Sequence, residues 1–332
     1  MNEPLDLLVV GAGPTGIAIG AEARRQGLST LLVDRGPLTA AIQGYPTFME
    51  FFTTRDRLEI AHVPFTIPDV KPTRQHALVY YRMVVEHYQV PLALYEDVEE
   101  VRKEGELFTV STRCLQGPRT YRARAVAIAT GYFINPRRLG VPGEDLPWVS
   151  SRYKEPYVHF GQEVVVIGAG NTAAEAALDL WRNGVKVTLV HRGPHVKAGV
   201  KYWVKPDIEN RIEEGSIPAH FNTLVRAFLP EGGVEVETPA GPAVLPAQAV
   251  YVLIGYQPDV DFERRCGVAV DPETLIPAFD PETCESNVPG LYVAGTLQAG
   301  RATDRIFIEN SRDHGPKIVA HLKGRLAPVG VR

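Results

Sequence analysis

Residues 5 to 36 read LDLLVVGAGPTGIAIGAEARRQGLSTLLVDRG, and residues 162 to 193 read QEVVVIGAGNTAAEAALDLWRNGVKVTLVHRG. Shifted by 157 positions, the first stretch lies on the second without a gap. Gly11 meets Gly168, Gly13 meets Gly170, Gly16 meets Ala173, Gly27 meets Gly184, and Asp34 meets His191. Each copy is an apolar run, then G-x-G-x-x-G/A, then an Ala-rich amphipathic stretch, then a β-branched run. That order is the βαβ dinucleotide fingerprint with its context intact, which the glycines alone would not establish. Gly11 and Gly168 permit the tight strand-to-helix turn. Gly13 and Gly170 lack a Cβ, so a pyrophosphate can approach the backbone, and Gly16 and Ala173 let the helix sit close on the sheet. A pyrophosphate placed there lies on free N–H groups at the positive end of the helix.

Two fingerprints ask for two nucleotides, and the residues that end their second strands differ. Asp34 suits the ribose hydroxyls of FAD or NAD. At His191 and Arg192 a guanidinium is available to pair with a 2′-phosphate, which a carboxylate would repel. The first copy therefore reads as an FAD site and the second as an NADPH site, with NADH disfavoured rather than excluded.

The rest of the chain sets bounds on this reading. At 332 residues it can hold two domains, each with its own core. A net charge of −4 with no basic run argues against nucleic acid as a partner. No apolar stretch has the length of a membrane span, and the acidic opening MNEPLD runs straight into a core strand, so no signal peptide is expected. Cys114, Cys266 and Cys284 show no C-x-x-C or metal spacing. The expected location is the cytoplasm. The histidines never fall at H-x-x-x-H spacing on a credible helix with a partner carboxylate (His191 and His195 are separated by Gly and Pro), so no metal site is expected. No G-x-S-x-G elbow supports hydrolase chemistry.

Along the chain, residues 5–10 should form a buried parallel strand, 14–26 a helix and 30–33 the next strand. Residues 37–73 are rich in aromatics, Pro and Thr; 74–89 have helical spacing. Short strands are expected at 92–101, 107–112 and 119–122, then one at 125–129 ending in Ala129-Thr130-Gly131 at the switch point. After a turn-rich linker the second copy repeats the scheme and closes with a strand at 249–253 and Gly255-Tyr256. The chain returns through 289–295 and a helix led in by 306–312 and reaching about residue 322. The expected fold class is α/β, with two Rossmann-like three-layer domains. The NADPH domain, 140–257, is inserted into a discontinuous FAD domain, 1–139 and 258–332.

With GAGPTG, the ATG at 129–131, GAGNTAAEAA at 168–177, HR at 191–192 and LYVAG at 291–295 in place, essentially the whole chain resembles the low-molecular-weight thioredoxin reductases, flavoproteins that bind two dinucleotides. It is most similar to their bacillithiol-disulfide reductase (YpdA-type) branch. The stretches that carry this are Tyr45-Pro46-Thr47 with Phe51-Phe52, residues 77–82 (ALVYYR), Ala129-Thr130-Gly131-Tyr132, Ile254-Gly255-Tyr256 with Pro258-Asp259, and residues 306–310 (IFIEN). The resemblance implies hydride transfer from NADPH to FAD and onward transfer to a low-molecular-weight disulfide, bacillithiol disulfide in that branch. It also implies a homo-oligomer, a homodimer in the simplest case. Candidate cofactor-binding residues in the FAD domain are Gly11, Gly13, Pro14, Thr15, Gly16, Asp34, Arg35, Tyr45, Val98, Ala129, Thr130, Gly131, Gly295, Thr296 and Ile306. In the NADPH domain they are Gly168, Gly170, Asn171, Thr172, Ala173, His191, Arg192 and Gly255. By the same analogy the 306–312 stretch starts a helix near the flavin's pyrimidine edge, where its N-terminus would favour the anionic reduced ring.

The sequence departs from the family at three places. Thioredoxin reductases of this type carry C-x-x-C shortly before the second fingerprint, where this chain reads Val149-Ser150-Ser151-Arg152-Tyr153. The YpdA-type branch carries a cysteine in its first glycine loop, where this chain has Thr15. Thr296 stands where thioredoxin reductases carry an Asp. No catalytic residue is assigned from the sequence. The alternative function is a ferredoxin- or flavodoxin-NADP reductase, whose acceptor is a small redox protein and which needs no thiol. A flavin monooxygenase ranks last, because its F-x-G-x-x-x-H-x-x-x-[WF] signature has no match.

Overall fold

From Leu7 to Val10 the first apolar run shows no alternation, the pattern of a strand covered on both faces, and all four residues are buried. In the computed structural model, which describes residues 3–326, this run is β1 (Leu5–Val10), followed by α1 (Pro14–Arg25) and β2 (Thr30–Asp34). Residues 1–2 and 327–332 of the expected FAD domain lie outside the described residues. The Pro-rich stretch holds a one-turn helix, α2 (Ala40–Gln43), and leads into α3 (Arg74–Tyr88). Thr73 and His76 cap α3 reciprocally, satisfying two amides that the helix itself cannot.

Two expected strand boundaries move. The strand expected at 92–101 breaks at Tyr95, which takes φ 57, into β3 (Leu92–Leu94) and β4 (Asp97–Glu104). After β5 (Leu107–Cys114), the strands expected at 119–122 and 125–129 are one continuous β6 (Gly117–Ile128). Between Arg119 and Ile128 no Gly or Pro interrupts the run, so nothing stops the strand. The first half of β6 pairs antiparallel with β5, and its second half pairs parallel with β1. The strand order is β3-β2-β1-β6-β5-β4.

The second copy opens with β7 (Val149–Ser150), β8 (Glu163–Ile167), α4 (Asn171–Arg182) and β9 (Lys186–Val190). It continues through α5 (Lys205–Glu213), β10 (Ala219–His220), β11 (Leu224–Phe228), β12 (Val234–Thr238), β13 (Gly241–Leu245) and β14 (Ala249–Val252). The parallel sheet has the order β10-β9-β8-β14-β7, and β11-β12-β13 form a separate antiparallel sheet. Alternation along β8 sorts its side chains. Val164 and Val166 pack with Ala173, Ala177 and Leu180 of α4. Val165 and Ile167 pack with Phe228, Val234 and Val236 of the antiparallel sheet.

The chain then returns through α6 (Val260–Arg265), capped by Asp259, and β15 (Leu291–Val293), which pairs parallel with β6. The single helix expected from 306–312 onward is two: a four-residue α7 (Ile308–Ser311) and α8 (His314–Leu326). Pro316 explains the break. It has no N–H for a bond to the preceding turn, so it fits only the first turn of a new helix.

The described residues fall into two units. The described parts of Met1–Gln43, Met49–Asn135 and Gln257–Arg332 make the first, and Gly44–Phe48 with Pro136–Tyr256 make the second. The unit boundaries therefore differ from the expected domain boundaries by four residues and one (135 against 139, 256 against 257). Residues 44–48, expected in the FAD domain, belong to the second unit. There the Thr47 N–H donates to the Lys154 carbonyl at 2.8 Å, and the Phe48 ring meets Tyr157 edge-on. Tyr45, proposed from sequence as an FAD contact, goes with them.

Candidate functional site

In the first unit, Gly11 takes φ 113, and a Cβ there would lie 2.5 Å from the Ala129 carbonyl oxygen. A Cβ on Gly16 would lie 2.0 Å from the Gly11 carbonyl oxygen, so α1 packs against its own turn more tightly than any side chain allows. Above Gly13 the opposite holds: a Cβ would meet nothing within 4 Å. Gly13 is the N-cap of α1, no described side chain caps that end, and no acidic residue lies in the first turn. The first-turn amides and the helix dipole are thus left for an anion. Asp34 Oδ2 accepts from the Ala12 N–H at 2.7 Å and Oδ1 from the Gly36 N–H at 2.8 Å, so the carboxylate ties the glycine loop to the end of β2. Each oxygen keeps a lone pair for a ribose hydroxyl.

Around this loop the fold gathers hydroxyls from distant parts of the chain. Thr130 Oγ1 is buried without a partner among the described residues. Thr296 Oγ1 lies 3.4 Å from the Cβ position of Gly131. Thr15 packs against Gly295 and shares a hydrogen bond of 3.1 Å with Ser311 Oγ. An open approach over Gly13, uncapped amides, an orphaned hydroxyl and a carboxylate at the strand end together fit the ribose and diphosphate of FAD.

In the second unit, Gly168 takes φ 130, and a Cβ there would lie 2.3 Å from the Leu253 carbonyl oxygen. The last fingerprint position is Ala173, fully buried. Gly170, the uncapped N-cap of α4, is open except for Lys197 Cδ at 4.0 Å. Lys197 reaches it because the following loop folds back over the fingerprint. The Lys197 N–H donates to the Ala169 carbonyl at 3.0 Å. The Lys201 N–H donates to Asn171 Oδ1 at 2.8 Å, and Asn171 Nδ2 donates to the Gly199 carbonyl at 3.3 Å. The side chain of Asn171, proposed as a cofactor contact, holds this loop, and its backbone N–H remains among the first-turn amides of α4. Burial, then the charges of Lys197, Arg192 and His195, keep the His191 imidazole below its ordinary pKa. A half-buried ring among three basic neighbours marks a cationic site suited to the 2′-phosphate of NADPH. His195 and Lys197 were not foreseen; the density of basic residues in HRGPHVK, 191–197, is the signal that would have found them.

Other candidates separate. Val98 is buried in the core with Val101 and Phe108, so its side chain faces the core and not a nucleotide. Arg35 and Thr172 are exposed, Gly255 is exposed with φ 103, and Ile306 is half-buried before α7. The helix start expected at the flavin edge amounts to the four residues of α7, whose dipole is correspondingly short. None of the cysteines is among the residues gathered at the first loop. Burial pushes the Cys266 thiol up to about 12 and raises that of Cys284; Cys114, half-buried, donates to the Gly117 carbonyl at 3.4 Å. Among the described residues no His, Cys, Asp or Glu group could hold a metal, and no helix is long and apolar enough to cross a membrane.

Comparison with known proteins agrees with this geometry. The family described as pyridine nucleotide-disulphide oxidoreductase matches residues 8–295. The bacilliredoxin reductase Bdr of Bacillus subtilis (strain 168) is 35% identical over 319 residues, 96% of this chain and 97% of the relative. A ferredoxin–NADP reductase of Ignicoccus hospitalis is 26% identical, covering 88% of this chain and 90% of the relative. The solved bacillithiol disulfide reductase Bdr (YpdA) from Bacillus cereus superposes with a TM-score of 0.93 at 34% identity, over 97% of this chain and 100% of that one. Two nucleotide turns, one with a carboxylate and one with a basic cluster, are thus those of an NADPH-dependent FAD flavoprotein, and the chain belongs to the pyridine nucleotide-disulphide oxidoreductase family, in its bacilliredoxin reductase (YpdA-type) branch.

Proposed function

We propose that the first unit holds FAD, the second holds NADPH, and the reducing equivalents pass to a low-molecular-weight disulfide of the bacillithiol type. The observation that carries the cofactor assignment is the contrast at the strand ends: Asp34 in one turn, and His191, Arg192 and Lys197 in the other. When bound, the nicotinamide supplies a hydride and the flavin relays the electron pair. The chain's residues bind and orient. The first-turn amides of α1 and α4 face the diphosphates, Asp34 holds the adenosine ribose, and Arg192 with Lys197 neutralises the 2′-phosphate. A cytoplasmic homodimer is part of the same proposal.

A second reading, transfer to a small redox protein such as ferredoxin or flavodoxin, is favoured by one observation. Thr15 cannot form a mixed disulfide, and the thiols of Cys266 and Cys284 are buried and protonated at neutral pH. The deciding experiment begins with the visible spectrum of the purified protein and its bleaching by anaerobic NADPH. Turnover is then measured with bacillithiol disulfide, ferredoxin and flavodoxin. A colourless protein that takes up no FAD overturns the cofactor assignment. Turnover of ferredoxin or flavodoxin with none of the disulfide selects the second reading.

A further inference from the structure

The turn at Gly295 is held by a histidine that the functions above do not use. His314 opens α8, is 8% exposed, and its Nδ1 accepts the Gly295 N–H at 3.0 Å. Nδ1 is therefore the unprotonated nitrogen, and the ring proton resides on Nε2. Burial, with the Lys317 charge acting the same way and Asp313 opposing, brings the pKa of the ring down to about 4, so it is the neutral acceptor at working pH. The other sides of this junction are equally constrained. Gly295 takes φ 76, and its Cβ position lies 2.9 Å from Thr15 Oγ1. Next to His314, a Cβ on Gly315 would lie 2.8 Å from the Ala18 carbonyl oxygen of α1. The start of α8 is thus locked to the fingerprint helix on one side and to the Gly295–Ala299 turn, which carries Thr296, on the other.

We propose that His314 is a positioning residue of the FAD site: its Nδ1 lone pair fixes the Gly295 amide, and with it the packing of Gly295 on Thr15 of the first glycine loop and the orientation of Thr296 beside Gly131. This rests on the reading of the first unit as the FAD site. Removing the acceptor leaves a buried N–H unpaired, and the turn must rotate to find another partner. Asparagine can present Oδ1 where the ring presents Nδ1, whereas alanine cannot.

The test titrates FAD into apoprotein of the wild type, His314→Ala and His314→Asn, and records the visible circular dichroism of the bound flavin. Alanine should weaken FAD binding on the order of tenfold and change the dichroism, while asparagine should stay within about threefold with a wild-type spectrum. Binding of NADP⁺ by the second unit should be equal in all three, which reports an intact second unit, and the far-ultraviolet circular dichroism of all three should be that of the wild type, which reports an intact first unit. If the alanine variant does not fold, His314→Gln takes its place with the same expectation, because its Oε1 reaches the Nε2 position instead. Alanine binding FAD as tightly as wild type, or asparagine losing as much as alanine, overturns the positioning role alone. A wild type that takes up no FAD removes the FAD assignment and this proposal together.

Discussion

The two fingerprints align without a gap over 32 positions, 5–36 and 162–193, yet their surroundings give matched residues different work. Thr15 and Thr172 occupy the same place. Thr15 is packed between Gly295 and Ser311, while Thr172 is exposed. Gly16 and Ala173 are also matched, but α1 approaches its turn so closely that only glycine fits, whereas α4 leaves room for a methyl. The motif thus fixes the local turn, while the elements that return from far along the chain decide how tightly it is enclosed. In the first unit these are β15, the Gly295 turn and α8.

Exchanging the matched residues of the two turns should have the largest effect. Gly16→Ala forces a Cβ into the Gly11 carbonyl and should cost about 3 kcal/mol or more of stability, with loss of FAD. Ala173→Gly should cost about 1 kcal/mol, the ordinary helix penalty. Chemical denaturation followed by tryptophan and flavin fluorescence measures both; equal costs would mean the two turns are packed alike.

The strand-end residues come next. Arg192→Ala should raise the KM for NADPH ten- to a hundredfold, on the order of a charged hydrogen bond of 1.5–3 kcal/mol, and leave NADH nearly unchanged. Asp34→Ala should weaken FAD retention by a similar energy, about 1.5–3 kcal/mol, because the loop amides of Ala12 and Gly36 also lose their acceptor. Equal losses with both nicotinamides would show that the 2′-phosphate is not read at Arg192.

A buried carboxyl of the first unit gives its stability a pH dependence. Glu263 of the first unit is buried, neither carboxylate oxygen has a hydrogen-bond partner among the described residues, and burial, then Asp259, raises its pKa to about 8. The folded state therefore binds a proton between pH 4.5 and about 8 that the unfolded state has released, so this stabilisation is present at low pH and lost as pH rises through that window. Glu263→Gln should remove the slope, leaving a wild-type-minus-variant difference on the order of 1 kcal/mol per pH unit across it. A difference that does not change with pH would mean that Glu263 is already ionised when folded. His314 carries the opposite sign: its depressed pKa makes stability fall as pH drops from 6.5 toward 4.

The smallest effect is expected from sulfur. A variant with Cys114, Cys266 and Cys284 all changed to Ser should keep NADPH-dependent flavin reduction and ferricyanide turnover unchanged, since hydride transfer needs proximity and not a thiol. Disulfide turnover by the wild type that vanishes with one of these cysteines would make that residue catalytic and overturn the thiol-free reading.

The duplicated fingerprint, the two nucleotides and the α/β class with an inserted second unit were legible in the sequence, because glycine spacing and uninterrupted apolar runs are dictated by local backbone geometry. The chain order alone also paired Asp34 with one turn and Arg192 with the other. Several features required the tertiary structure. Residues 44–48 join the second unit through a hydrogen bond to Lys154, and Lys197 comes over Gly170 because the Asn171 side chain holds a loop thirty residues away. The break between α7 and α8 at residues 312–313 and the acceptor role of His314 for Gly295 likewise depend on where the returning chain is packed. Contacts between residues far apart in sequence leave no periodic trace in it; only the folded chain decides which of its hydroxyls, amides and cations face the same nucleotide.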